Sequence, residues 1–428
     1  MSVSENDVHR TVLDNGLTVL LRETHAAPVA TCWVWYRIGG RNETPGLTGI
    51  SHWTEHMMFK GTPAFPKGEI MRQVNKNGGV LNGFTSQDYT VYFETLPADR
   101  IELGLRIEAD RMANSVFDPG EVESERTVII SERQGAENSP GFLLYEEVAA
   151  AAFQVHSYGH QVIGWKEDLK RIARDDLWRH YRTYYGPHNA VLVLVGDFDV
   201  PPVLEWVKTH FAPIPAGPAP PPVNVVEPPQ RAERRVTVRQ PGTTAYFQAV
   251  YHAPDARHPD FYPLLVLDAI LSGAKPMSLS SPSVTNKSAR LYRALVETEL
   301  ATSAFSSFNS SLDPGLFAFS ATVRAGRTLE EVEVAMLAEI QRVIDEPVED
   351  AELTKTIKQS RAQFVYANES VSDQAHWLGR MEMLESYQRL YTFLDHLSTV
   401  TQEDVQRVAR TYLMPSNRTI GWFVPESH

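Results

Sequence analysis

The sequence predicts an α+β protein in which one sheet-plus-helix domain occurs twice. Three observations lead there. Strand-like and helix-like segments are interleaved without a regular βαβ rhythm, a proline-rich stretch lies near the midpoint, and part of the first half recurs in the second. The proline-rich stretch, APIPAGPAPPPVNVVEPP at residues 212–229, reads as a stiff, extended linker. The recurrence runs without a gap at an offset of 228 residues: Asp176, Arg182, Thr183, Tyr184, Pro187 and Asn189 match Asp404, Arg410, Thr411, Tyr412, Pro415 and Asn417. Each copy reads as a helix, a Pro-Asn turn and a strand, the strands falling at 190–195 and 419–424. The expected division is a first domain at 1–211, a linker at 212–232 and a homologous second domain at 233–428.

The elements follow in order. Leu13-Asp14-Asn15-Gly16-Leu17 reads as a hairpin turn, since Asn-Gly suits left-handed turn positions. Residues 29–38 and 90–96 alternate or run apolar as strands do. A helix pair is expected at 98–112 and 120–137. The same pair recurs in the second half, where Thr328-Leu329-Glu330-Glu331 forms a capping box. Val332, Met336, Ile340 and Val343 follow at helical spacing until Pro347, and 352–366 makes the second helix.

Composition narrows the class. Hydrophobic residues make 43% and charged residues 22% of the 428-residue chain, ordinary for a folded protein with room for two cores. A net charge of −13 argues against a nucleic-acid partner. The one cysteine, Cys32, excludes an intrachain disulfide framework and any multi-cysteine metal site. No run of about 18 apolar residues predicts a membrane span. The opening MSVSENDVHR lacks the basic and apolar stretches of a signal peptide, so the expected location is cytoplasmic, or periplasmic where a leader has been removed.

The chemistry concentrates in His52-Trp53-Thr54-Glu55-His56. On a helix, imidazoles four residues apart point from one face about a turn apart, close enough to grip one metal ion. Glu55, three residues after His52, leans toward the same ion. This H-x-x-E-H order is the reverse of the more common H-E-x-x-H zinc motif. Ile50, Trp53, Met57 and Met58 make the helix half apolar, so it should pack into a core, where its polar trio needs partners. Catalytic zinc ordinarily takes three protein ligands. The helix at 120–137 offers Glu125 and Glu132, seven residues and two turns apart on one face, with Val128, Ile129 and Ile130 between or beside them. Spacing alone does not choose between the two.

Gly39 to Thr62 (GGRNETPGLTGISHWTEHMMFKGT), Asn82 to Tyr92 (NGFTSQDYTVY) and Glu125 to Glu132 (ERTVIISE) together resemble the pitrilysin-type inverzincin peptidases, the family of the mitochondrial processing peptidases and insulin-degrading enzymes. The resemblance covers essentially the whole chain. It implies two homologous domains forming half of a clamshell and zinc held by His52, His56 and Glu132, the last standing 76 residues past His56. It also implies Glu55 as general base, Glu125 as a supporting acidic residue, and Asn82, Gly83 and Phe84 on an edge strand that pairs with a peptide substrate. Read from residues alone, Gly78-Gly79 and Asn82-Gly83 are equally simple turns.

One stretch departs from the family. Members acting alone or as homodimers carry, in the second domain, a segment resembling R-E-K-x-G-L-A-Y, whose arginine and tyrosine bind substrate. Here Val296-Glu297-Thr298-Glu299-Leu300-Ala301-Thr302 is one residue shorter, with valine and threonine near those positions. The expectation is a zinc subunit whose homologous partner supplies the arginine and tyrosine in a heterodimer, a homodimer being second. The alternative is a peptide-binding or scaffold subunit with little activity of its own. His156 and His160 also stand four apart, but Gly159 lies between them without a carboxylate, so a loop is expected there.

Overall fold

The turn at Asn15-Gly16 starts the first sheet: Gly16 has φ +90°, and Leu13 and Leu17 close the turn with an N–H···O bond of 2.9 Å. In the computed structural model, which describes residues 7–278 and 286–426, the strands are β1 (His9–Val12), β2 (Thr18–Glu23), β3 (Val29–Tyr36), β4 (Val80–Thr85), β5 (Thr90–Pro97) and β6 (Ala190–Gly196) in this sheet. Those of the second are β7 (Arg234–Pro241), β8 (Tyr246–Ala253), β9 (Ala301–Phe308), β10 (Gly315–Val323) and β11 (Arg418–Glu426).

The sheet orders are β1-β2-β6-β3-β5-β4 and β7-β11-β8-β10-β9. Each has one parallel pair, β2 with β6 and β7 with β11, and is otherwise antiparallel. Apart from β1 the two orders superpose strand for strand, so β4 and β9 are equivalent outer strands. The repeated residues do equivalent work. Asn189 donates to Tyr184 O at 2.9 Å and Arg37 O at 3.3 Å, while Asn417 donates to Tyr412 O at 2.8 Å and His252 O at 2.9 Å. Asp176 and Asp404 cap the helices Arg174–Tyr184 and Gln402–Tyr412 by accepting from Ala173 N and Thr401 N. The architecture is the duplicated α+β fold that the sequence predicts.

Strand β3 is apolar along its length because both its faces are covered. Cys32, Val34 and Tyr36 join the core under Ile50–Met57, Ile101–Asn114, Arg174–Tyr184 and Val200–Phe211. Trp33 and Trp35 point the other way, where His376 of the helix Val371–Leu384 lies 5.8 Å and 5.5 Å from their rings.

The compact units therefore do not follow a linear division at the linker. The first comprises residues up to Gln134 with His160–Asn224 and Asn368–Tyr391; the second comprises Gly135–Gly159, Val225–Ala367 and the chain from Thr392. Helix Val371–Leu384 packs on β3 and β6, and helix Pro140–Ala152 on β7, β8 and β11. Each sheet needs a second cover, and a helix from the other half of the sequence supplies it. Residues 212–233 carry neither helix nor strand, in keeping with the proline-rich composition. Among the described residues no helix is long and apolar enough to cross a membrane.

Two glycines permit these covers. A Cβ on Gly379 would fall on the Trp35 indole, and one on Gly421 would fall on a Val148 methyl. Gly379→Ala and Gly421→Ala should each destabilise the protein by about 1–3 kcal/mol in urea unfolding. At Gly379 this outcome runs against the roughly 1 kcal/mol that alanine gains within a helix, so a raised midpoint would contradict the packing.

Candidate metal centre

Helix Ile50–Met57 buries Trp53 and Met57 in the first core. The Arg126 guanidinium lies 4.7 Å over the Trp53 ring and donates to Leu169 O at 2.5 Å and Ile172 O at 2.9 Å. This docks the Pro119–Glu137 helix against Ile50–Met57. With those faces fixed, the polar residues converge. His52 Nε2 is 4.0 Å and His56 Nε2 3.7 Å from one oxygen of Glu132. The donor atoms of His52, His56 and Glu132 lie within 4.8 Å of one another, the one such group of three among the described residues. A tetrahedral ion with bonds of about 2.1 Å sets its ligand atoms roughly 3.4 Å apart, so a small inward movement suits two imidazoles and a carboxylate to zinc.

The structure separates the two glutamates that spacing leaves equivalent. Glu132 stays half exposed and faces both Nε2 atoms. Glu125 is buried, accepts from His56 Nδ1 at 2.8 Å and pairs with the ammonium of Lys60. That bond leaves the Nε2 lone pair of a neutral His56 turned toward Glu132, the arrangement by which a second carboxylate orients a ligating histidine. The helix is less buried than its apolar residues suggest, since Ile129 is inside and Val128 is 47% exposed.

Glu55 is buried beside the trio, and Thr85 Oγ1 of β4 donates to its carboxylate at 2.6 Å. Burial pushes its pKa up against the pull of Thr85 and His56. Burial also lowers His52 to about 3, helped by repulsion from His56. For His56 burial acts downward, but the Glu125 bond and the charges of Glu55 and Glu132 outweigh it and raise the pKa. Glu125 is lowered because its bonds to His56 and Lys60 overcome the opposite effect of burial. Thr85 and Lys60 are the contributors that sequence reasoning passes over. Both lie inside the quoted segments, yet neither has a spacing that marks it.

Asn82, Gly83 and Phe84 lie on β4, an outer strand of the first sheet, which among the described residues pairs only with β5. Of Gly78-Gly79 and Asn82-Gly83, only the first lies at a turn, with Gly78 at φ +75°. Gly83 is closely packed, as a Cβ there would meet Tyr92 at 3.0 Å and Phe59 at 3.1 Å. In the second unit, Val296 ends a wide helical turn, Tyr292–Val296, and Thr302 lies on the outer strand β9. Glu299 between them has φ +62°, the one positive φ outside glycine among the described residues. The segment holding His156 and His160 is the loop expected, with one short turn at Ser157–Gly159: His156 Nε2 pairs with Asp313 at 3.0 Å, and His160 Nδ1 faces Gln161 O at 3.0 Å.

Comparison with known proteins gives this geometry a family. Residues 18–165 match the family model described as insulinase (peptidase family M16), and residues 171–360 match that of the peptidase M16 inactive domain. The chain belongs to peptidase family M16. Among M16 relatives, it is 28% identical over 417 residues to the mitochondrial-processing peptidase subunit beta of Blastocladiella emersonii, covering 96% of this chain and 87% of that one. It is 29% identical over 421 residues to the zinc protease PqqE of Helicobacter pylori, covering 96% and 92%. A solved protease from Helicobacter pylori superposes with a TM-score of 0.92 at 28% identity, covering 98% of this chain and 99% of that one. The resemblance read from the motifs is thus the correct one, and peptidase chemistry is supported at the level of the M16 family.

The metal-free centre should show the ionisation this geometry dictates. By imidazole NMR, His56 should titrate above the ordinary value of 6.5 and His52 at about 3. Because the His56 pKa is raised, its bond to Glu125 stabilises the fold fully below pH 6.5 and fades as pH rises through the raised value. Because the Glu125 pKa is lowered, the same bond is present above pH 4.5 and fades as pH falls through the lowered value. The stability lost in Glu125→Gln should be greatest between those limits, about 2 kcal/mol, and His56 should titrate lower in that variant.

Proposed function

We propose that this chain is a zinc-dependent endopeptidase acting on peptides or unfolded segments, with His52, His56 and Glu132 as the metal ligands. The observation that carries the reading is the convergence of two imidazole Nε2 atoms and one Glu132 oxygen beside the buried Glu55. The relatives named as zinc proteases support zinc as the ion. When bound, zinc acidifies water and polarises a peptide carbonyl.

The chain's own residues supply the rest. Glu55 takes a proton from the attacking water as the oxygen adds to the carbonyl carbon, then gives it to the leaving nitrogen as the C–N bond breaks. Its raised pKa moves it toward the working pH, and Thr85 keeps the carboxylate aimed. Glu125 keeps the His56 proton on Nδ1. The free edge of β4 at Asn82, Gly83 and Phe84 receives the substrate as an added strand, which reads an extended backbone and tolerates varied side chains.

Val296 and Thr302 favour a further step in this reading, in which the chain is the zinc subunit of a pair and a homologous partner supplies the arginine and tyrosine. A relative named mitochondrial-processing peptidase subunit beta is in keeping with such a pair. The same two residues favour the second reading, a peptide-binding or scaffold subunit with little activity alone.

Metal analysis and a quenched-peptide assay test these readings together. The purified chain should bind zinc and cleave slowly, and a homologous partner chain should raise turnover. Full activity without a partner would overturn the paired reading, while zinc binding with no cleavage in any combination would favour the scaffold. Glu55→Gln should retain zinc and lose about a hundredfold to ten-thousandfold in turnover; wild-type turnover in that variant would refute the mechanism.

A further inference from the structure

The Ile50–Met57 helix has no side chain of its own to cap its N-terminus. Its N-cap is Gly49, at φ +86°, where a Cβ would meet Ile163 O at 2.5 Å and Gly164 Cα at 3.1 Å. The close crossing of residues 163–164 therefore excludes the serine, threonine, aspartate or asparagine that ordinarily caps a helix. Glu43 takes that place from outside the helix. One carboxylate oxygen accepts from Gly49 N at 2.8 Å and the other from Ser51 N at 2.8 Å. The Glu43 side chain is fully buried, and His160 Nε2 lies 3.7 Å from it. Thr48, next to the cap, donates to Asp168 at 2.6 Å and accepts from Trp165 N at 2.9 Å, which ties the crossing segment down. An acceptor here also meets the positive end of the helix dipole. Burial raises the Glu43 pKa to about 8 against the two N–H bonds, and a carboxyl oxygen accepts in either protonation state.

The helix is eight residues long, and His52 sits in its first turn, next to Ser51. A helix this short has little internal cooperativity, so the cap decides whether its first turn is formed. We propose that Glu43 is a positioning residue for the metal centre: by holding Gly49 N and Ser51 N it fixes the first helical turn and aims His52 Nε2 at His56 Nε2 and Glu132. The inference rests on the reading of His52, His56 and Glu132 as zinc ligands. Glu43 touches neither the metal nor the substrate. Without it the first turn is formed only part of the time, and zinc binding falls by that fraction.

The test is zinc affinity, by competition with a chromophoric chelator, alongside urea unfolding of the metal-free protein. In Glu43→Gln an NH2 group replaces one acceptor and leaves a helix N–H unpaired. Its zinc affinity should fall about tenfold, the scale of one lost hydrogen bond. Glu43→Asp, which keeps two acceptors on a shorter arm, should fall between it and wild type. Wild-type zinc affinity in a folded Glu43→Gln overturns the proposal even where the metal-free midpoint drops, because that result marks a cap serving stability alone. Where Glu43→Gln does not fold, Glu43→Asp carries the comparison, and unchanged affinity there overturns the proposal equally. A wild-type chain that binds no zinc refutes the reading of the centre, and this inference with it, and is told apart by the control.

Discussion

The site depends on a two-turn helix having one face locked into the core. Trp53 and Met57 are fully buried and Arg126 lies across the Trp53 ring, so Ile50–Met57 has no freedom to roll about its axis. His52, Glu55 and His56 then fall on the remaining arc by helical geometry alone. Removal of water from that arc has a chemical consequence. It drives His52 toward the neutral form, which a metal ion requires, and makes the Glu55 carboxylate more basic. Packing and reactivity at this helix have a common cause.

The second unit shows what the same scaffold becomes without the imidazoles. Helix Phe261–Ser272 lies against β9 as Ile50–Met57 lies against β4. Asp268 accepts from Ser306 of β9 at 2.5 Å, much as Glu55 accepts from Thr85 of β4 at 2.6 Å. Relative to that carboxylate, the places of His52 and His56 are taken by Leu265 and Ala269. Asp268 is balanced by Lys275 at 3.2 Å. A buried carboxylate has a hydroxyl partner in both copies, as desolvation demands, while the imidazoles occur in one. Duplication thus preserved the helix-on-edge-strand packing and let the chemistry diverge.

What the sequence makes legible follows from the range of each interaction. Asn15-Gly16, the Thr328–Glu331 capping box and the Pro-Asn turns are set within a few residues, and the structure has them where the pattern places them. H-x-x-E-H is legible for the same reason. The exchange of helices Pro140–Ala152 and Val371–Leu384 between sequence halves is not, because an apolar stripe shows that a helix needs a surface without showing which sheet provides it. The choice of Glu132 over Glu125 is similar. Both point from one helix face, and only the approach of His56 Nδ1 and Lys60 to Glu125 separates them. Family resemblance singles out Glu132, and in the structure Glu132 is the one that faces both Nε2 atoms.

The least legible feature lies beneath the outer strand β4. Alternation along β5 sets Glu94 on the core face with Tyr92 and Leu96, and Glu94, Glu108 and Arg111 are all fully buried. One guanidinium nitrogen binds Glu94 at 2.7 Å and Glu108 at 2.6 Å. Burial and the charge of Glu108 push Glu94 well above the usual carboxylate range, against the pull of Arg111. Buried ion pairs of this kind add little stability over apolar packing, so the reason for this one is better sought in what it holds. Arg111 lies 5.0 Å from the Phe59 ring and 4.5 Å from the Tyr92 ring. Those two rings form the floor against which Gly83 of β4 rests. A cation between two aromatic faces fixes their separation more narrowly than aliphatic packing would. The strand carrying Thr85, and through it Glu55, is held at a set height above the floor. The buried cluster therefore acts on geometry: it supports the edge strand beside the helix that carries Glu55.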